Sequence, residues 1–402
     1  MLIEIIAALL LGCIIGTFTG LFPGIHINLI AAILLAALTS LTFLQTVPII
    51  NLAIFVVSMS ITHTFLDFIP SIYLGAPDED SFLSILPGHQ LLQKGLGHKA
   101  VTQTLYGSLT AIPTILISIP IFIYVLPIIF NTTKTIVPFI LIFASFYLIL
   151  REKEPLIALT VFTLAGFLGF ATLNLPIKQP LLPLLTGLFG LSSLFISIKN
   201  KTIIPTQILS PLKKIKLPKN YIKTSVAALI SAPLCSFLPG IGSGHAAVIG
   251  SEIFEQDNES FLFLVGAINT IVVALSFITI YSIGKSRSGV AATVKDLLTT
   301  ITPSNLALII LTIILSGIIS FLLGIQISKT SSKYINKINY KTLSIIIISI
   351  LIIINIIFSN LLGLLTLISA TALGIFTILS GSRRLNLMGS LLVPTIIFYL
   401  TL

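Results

Sequence analysis

Residues 19–35 read TGLFPGIHINLIAAILL, and residues 235–250 read CSFLPGIGSGHAAVIG. Each places Pro-Gly-Ile, then small or polar residues and a histidine, inside a stretch apolar enough to cross a bilayer. Proline and glycine leave backbone groups unpaired in a helix, and hydrocarbon cannot satisfy them. Such an interruption persists only where protein or a wet cavity lines it. This chain makes it twice, about 216 residues apart.

The composition says what surrounds these breaks. Of 402 residues, 56% are hydrophobic and 8% charged, and the mean hydropathy is +1.14. Soluble domains carry roughly 25% charged residues, so the solvent of this chain is lipid. Apolar runs of spanning length recur throughout, as membrane helices require. The period-two alternation of a membrane β-barrel is absent. The net charge of +10 is mostly lysine in short loops, which fits the positive-inside rule and not nucleic-acid binding. Cys13 and Cys235 each lie in an apolar run and suggest neither a disulfide framework nor a metal cluster. No cofactor is expected. The start, MLIEIIAALLLGC, resembles a lipoprotein cleavage box at Cys13. It carries Glu4 and no cation, whereas a signal peptide has a positive n-region. A retained first span is the expectation.

Apolar segments fall at 2–20, 27–44, 47–66, 100–130, 134–150, 155–173 and 180–198, then at 221–238, 240–253, 260–281, 301–326, 342–358, 360–380 and 385–402. Between them, 66–90 and 281–298 are rich in Gly, Pro and Ser, neither plain loop nor plain span. Lys199, Lys201, Lys213, Lys214, Lys216, Lys219 and Lys223 mark a cytoplasmic connector. Counting crossings from it also brings Lys94, Lys99, Lys153, Lys329, Arg383 and Arg384 to the cytoplasm, provided 240–253 only dips into the membrane. Lys285, Arg287 and Lys295 then land outside, against the rule. Each half holds a broken hairpin followed by an odd number of crossings, so the second enters from the opposite side. The expectation is an all-α polytopic membrane protein of about 10 full spans plus re-entrant or broken hairpins. It divides into a first repeat (1–199), a cytoplasmic connector (200–220) and a second, inverted repeat (221–402).

The broken helices suggest chemistry. Pro239 suits the first position of a new helix, where its missing N–H is not needed. Gly240, Gly242 and Gly244 allow close approach of a ligand, and Ser243 and His245 add donors. Pro23 and Gly24 make the same break in the first half, followed by His26 and Asn28. The first turn of each half-helix offers free N–H groups and the positive end of its dipole. Two such starts meeting near the midplane form an anion site of the kind secondary transporters use. The plainer alternative is that Pro-Gly kinks serve packing alone, which explains the glycines but not the polar residues beside them. Ser286, Arg287 and Lys285 add donors and charge in the second hairpin. Asp67, Gly75, Pro77 and Asp78 in the first hairpin, with Asn269 in mid-span, are candidates for coupling-ion binding or gating. Thr62, His63 and Thr64 read equally as packing or cavity lining.

Four stretches, GLFPGIHINL, YLGAPDEDSFLSILPGHQLLQKGLGHKAV, SFLPGIGSGHAAVIG and SIGKSRSGVAATV, together resemble the large membrane subunit of the tripartite tricarboxylate transporters, the TctA type. The match runs through both halves in order, with Asp78 standing where the family has glycine. The resemblance implies a permease for organic anions such as carboxylates, driven by an H+ or Na+ gradient in the cell membrane. It also implies a small membrane subunit and an extracytoplasmic binding protein as partners.

Two other classes compete. A polyprenyl-phosphate translocase would use the same paired breaks for a lipid head group. A membrane enzyme would need Ser243 and His245 as nucleophile and base. They lie two residues apart, and Ile241 occupies the place where a Gly-x-Ser-Gly motif needs glycine. The histidines and aspartates lack metal-site spacing.

Overall fold

The computed structural model describes residues 2–22, 27–40, 45–76, 81–150, 152–177, 179–199, 205–209, 215–237, 242–286, 288–335 and 340–401. Among them every regular element is helical, since in lipid a helix satisfies its backbone within one segment. The first half holds α1 (Leu2–Leu21), α2 (Ile27–Ser40), α3 (Ile49–Leu66), α4 (Phe68–Leu74), a 3₁₀ turn (Phe82–Ser84), α5 (Ile85–Leu92), α6 (Gly97–Tyr124), α7 (Leu126–Leu150) and α8 (Pro155–Asn174). It closes with α9 (Leu181–Leu185), which continues through π-helical Thr186–Leu191 into α10 (Ser192–Lys199). The second half holds α11 (Tyr221–Phe237), α12 (Ser243–Ile253), α13 (Asn258–Ile283), α14 (Gly289–Leu298), α15 (Pro303–Ile335), α16 (Tyr340–Leu379), a 3₁₀ turn (Arg384–Met388) and α17 (Gly389–Thr401).

Eight described helical runs are long and apolar enough to cross a bilayer, and the protein is a multi-pass membrane protein. Large apolar side chains such as Leu156, Phe167, Ile357 and Leu361 lie exposed on α8 and α16, as lipid contact allows. With 11 residues, α12 reaches about 16 Å at 1.5 Å per residue, half the roughly 30 Å hydrocarbon core. It is the half-helix expected at 240–253.

Two boundaries illustrate local causes. The break expected between 130 and 134 falls instead at Val125, just before Pro127, which suits the first turn of a new helix. The break expected near 359 occurs at Asn360 (φ 60°). Asn360 Oδ1 accepts the N–H groups of Leu362 (3.1 Å) and Gly363 (3.3 Å), and Nδ2 donates to the Pro176 carbonyl (3.0 Å). One side chain thus caps the restarting helix and ties it to the α8–α9 loop.

Helix α13 is buried at nearly every position from Ser260 to Ile280. A helix apolar all round belongs in the interior, and α13 is the axis of the bundle. It packs against α6, α11 and α12, with α3 beside it. Close approach to α6 depends on two glycines. A methyl on Gly107 would overlap the Phe263 carbonyl, and one on Gly266 the Thr104 carbonyl. Gly12, Gly16 and Gly20, four apart on α1, seat that helix on α3 in the same way.

The segments expected on the cytoplasmic side gather at one end. The Ile208 N–H donates to the Gly95 carbonyl (2.8 Å), and Gln103 donates to the Lys216 carbonyl (2.9 Å). Lys99 pairs with Glu259 (2.6 Å), and Asn258 donates to Gln90 (2.7 Å).

Gly266→Val forces α6 and α13 apart. Overpacking of this kind costs about 1–3 kcal/mol, to be read as a lowered thermal midpoint in detergent, whereas Val265→Ala at the neighbouring position spares that contact.

Candidate functional site

The restart of each Pro-Gly-broken helix borders one cavity of about 590 Å³, lined by Asn28 near the start of α2 and by Gly242, Gly244 and His245 at the start of α12. A third start joins them, because Ser288, Gly289 and Val290 at the head of α14 line the same space. Three helix N-termini therefore converge on it, with first-turn N–H groups that have no intrahelical partner.

Local chemistry shapes each start. Gly242 is extended (φ −103°, ψ −178°) before α12, and its N–H donates to Nδ1 of His245 at 3.1 Å. Nδ1 thus acts as acceptor, which puts the proton of a neutral ring on Nε2. Nε2 faces the Thr395 hydroxyl of α17 at 3.5 Å. At α14, Ser288 Oγ accepts the Ala291 N–H (3.3 Å). Asn28 Oδ1 accepts the Val290 N–H (3.0 Å), so a side chain of the first half caps a helix of the second. With its oxygen committed, Asn28 can reach an anion only through its amide nitrogen.

No carboxylate lines the cavity among the described residues. Three positive dipole ends, an imidazole, the amides of Asn28 and Asn174 and hydroxyls remain, a set that suits an anion and repels no negative charge. The volume lies within the roughly 300–1,000 Å³ of small-molecule sites.

A polar seam lies beneath the cavity, toward the end that carries the lysine-rich connector. Asp67, 2% exposed, sits between α3 and α4 with helical backbone (φ −62°, ψ −21°), so the chain scarcely breaks there. Its carboxylate accepts from Asn269 Nδ2 at 2.9 Å. Thr64 bonds to Thr270 (3.1 Å), Ser320 donates to Thr62 (2.9 Å) and His63 meets Thr19 (3.1 Å). The Thr-His-Thr run therefore joins α3 to α1, α13 and α15. Asn269 lies one helical turn from Val273 of the cavity wall, about 6 Å along the axis.

Of the residues singled out in the sequence, the cavity collects Asn28, Gly242, Gly244 and His245. Ser243 begins α12 and is buried. Asp67 and Asn269 pair with each other in the seam. Gly75 closes α4 with a left-handed backbone (φ 66°) and Gly284 closes α13 likewise (φ 64°), so each long inner helix ends on a glycine that turns the chain. Lys285 and Ser286 are exposed on the turn after Gly284, away from the cavity lining. Pro23, Gly24, His26, Pro77, Asp78, Pro239, Gly240 and Arg287 lie outside the described residues.

The structure adds Thr395, marked in the sequence only by Pro394 before it, and puts Ser288 of the second Gly/Ser-rich stretch in the same cavity lining. Elsewhere, His89 on the short α5 packs against Gly75. Burial, and then the charge of Arg384, lower its pKa to about 4 and keep the ring neutral.

The description "Tripartite tricarboxylate transporter TctA family" belongs to the family model that matches this chain, over residues 6–389. The chain is also similar to the uncharacterized protein MJ1079 of Methanocaldococcus jannaschii, with 32% identity over 403 residues and 98% coverage of both chains. No solved structure matches.

Removing the Asn28 oxygen leaves the Val290 N–H at the head of α14 without its acceptor, while Ser288 still caps Ala291. Asn28→Ala should lower stability by about 1 kcal/mol in a thermal-unfolding assay, and Asn28→Asp, which keeps an acceptor, should recover most of it.

Proposed function

The chain belongs to the Tripartite tricarboxylate transporter TctA family, and from that premise we propose that it carries organic anions of the carboxylate class across the cell membrane, driven by an H+ or Na+ gradient. The observation that supports this most directly is the shared cavity. Residues beside both Pro-Gly breaks line one space that three helix starts face and that no described carboxylate enters. Substrate carboxylate accepts from the first turn of α12, from His245 Nε2–H and from Thr395, and faces the positive dipole end of the capped α14.

Inverted repeats account for how two distant motifs come to one place. Helix α1 packs on α3 as α11 packs on α13, and each long helix that follows a re-entrant hairpin crosses the other half: α6 lies on α13, and α15 on α3. The restarted helices cross over in the same way. Asn28 reaches the head of α14, and Gly244 abuts Phe82 of the opposite half. Asp67 carries the coupling H+ or Na+, and Asn269, one turn from the cavity wall, holds its carboxylate. Binding of the cation neutralises a buried charge, and that change is what couples the gradient to the bundle. A small membrane subunit and an extracytoplasmic binding protein complete the assembly.

One observation favours a second reading, the polyprenyl-phosphate translocase. Phe170, Leu173, Ile397 and Phe398 line the cavity while each remains 38–46% exposed. A space with a lipid-facing wall could admit a head group sideways.

Reconstituted protein should take up labelled citrate or succinate in response to an imposed H+ or Na+ gradient. His245→Ala removes a hydrogen bond to a charged group, so apparent affinity should fall about tenfold to a hundredfold. Asp67→Asn should leave binding measurable by thermal shift but uncouple uptake from the gradient. Stabilisation that grows with prenyl chain length, with no carboxylate uptake, would select the lipid reading instead.

A further inference from the structure

A second pocket, of about 430 Å³, lies at the end of the bundle that carries the lysine-rich connector, lined by Phe82, Gln90, Phe189, Glu252, Arg383 and Arg384 among others. Arg384 is 7% exposed and is held entirely by neutral oxygens. Nη1 donates to Ser193 Oγ (2.6 Å), and Nη2 donates to the Leu188 and Phe189 carbonyls (3.0 and 2.6 Å) and to Ser192 Oγ (2.8 Å). Its Nε is buried with no acceptor among the described residues. A buried cation bonded only to dipoles is costly, and π-helical turns such as Thr186–Leu191 cluster at functional sites. The neighbouring Arg383 differs, since Glu152 pairs with it at 2.6 Å.

This pocket and the helix-start cavity nearly touch. Phe82 lines the pocket, and its ring abuts Gly244, which lines the cavity. Met388 closes on the same glycine. Phe82 also stacks obliquely on Phe189 (centroids 4.6 Å apart), and the Arg384 guanidinium lies 5.4 Å from the Phe189 ring centre. At Gly244, therefore, an aromatic ring and a flexible thioether stand between the two spaces, with Arg384 beyond Phe189.

We propose that this vestibule is a second carboxylate site, occupied after the anion leaves the cavity, with Arg384 as its cation and Phe82 as the barrier before it. The inference rests on the transport reading above. Arg384 brings to the pocket lining a guanidinium that no carboxylate pairs with among the described residues, while half-buried Glu252 and exposed Glu255 and Asp257 line the same pocket and repel an anion. Attraction inside and repulsion at the rim make a station that is left quickly rather than a storage site.

Two engineered cysteines test this without relying on uptake. The native Cys13 and Cys235 are 2% and 0% exposed. Ser251→Cys, in the vestibule, should react with a membrane-impermeant maleimide from the lysine-rich side. Millimolar citrate or succinate should slow that reaction several-fold when Arg384 is present, and not in R384Q. Thr395→Cys, in the cavity, should resist the reagent from that side and react at least tenfold faster once Phe82→Ala is added. Because Arg384 anchors residues 188–193, R384K serves as the charge-retaining control for folding, and the Phe82 arm does not involve Arg384. Labelling of Ser251→Cys that ignores both anions in the Arg384 protein overturns the site. Equal reactivity of Thr395→Cys with and without Phe82 overturns the barrier. Protection at Ser251→Cys without gradient-driven uptake would sink the transport reading and leave the site standing. Uptake without protection would do the reverse.

Discussion

A backbone N–H or C=O that faces hydrocarbon has no partner, and nearly everything in this protein follows from that. It makes every regular described element helical, and it makes an interrupted helix informative. Where α2 and α12 restart and α14 begins, donors are available at membrane depth, and the fold answers by placing one cavity against all three. Part of the need is met internally. Asn28 and Ser288 cap α14, and the His245 ring turns back to accept from Gly242. What remains is a set of fixed positive dipole ends around a space that no described carboxylate enters. On the proposed reading such a site attracts an anion without net charge of its own, and the caps on α12 and α14 hold those helix starts in place.

The interior is divided between apolar packing and paired polar groups, with different tasks. Glycines on α1, α6 and α13 let backbones come together where lipid supplies no hydrophobic drive between helices. Through that packed core runs a seam in which Asp67, Asn269, Thr64, Thr270, Thr62 and Ser320 bond across helices. A polar group in such a place is strongly directional, because any partner it loses cannot be replaced by water. Through Asn269 the seam lies one helical turn from the cavity wall, on the helix that also contributes Val273 to that wall.

The same constraint separates the environments of two neighbouring arginines, half-exposed Arg383 and buried Arg384. Arg383, beside the α7–α8 turn, has a carboxylate partner in Glu152, and Asn386 donates to the same oxygen. Arg384, one residue on, turns inward and bonds only to carbonyls and hydroxyls. In the sequence the pair reads as one positive-inside signal. In the fold, one arginine ties two loops together and the other sits under an aromatic wall.

By itself the sequence determined the solvent, the helical class, most span boundaries and the recurrence of the Pro-Gly break, because these depend on composition and on neighbours along the chain. It also marked Asn28 and His245, polar residues beside a break that packing does not explain, and Gly242 and Gly244, which allow close approach. Only the tertiary structure decided that these residues share a cavity, that Asp67 meets Asn269 across 202 positions of chain, and that Lys285 and Ser286 stay on an exposed turn. It alone revealed Thr395, placed Ser288 in the cavity lining and turned Arg384 inward, away from its neighbour Arg383. A hydrogen bond between segments depends on how helices cross and rotate about their axes. Those angles are fixed by glycine contacts and side-chain shapes distributed over the whole bundle, and no local pattern in the chain encodes them.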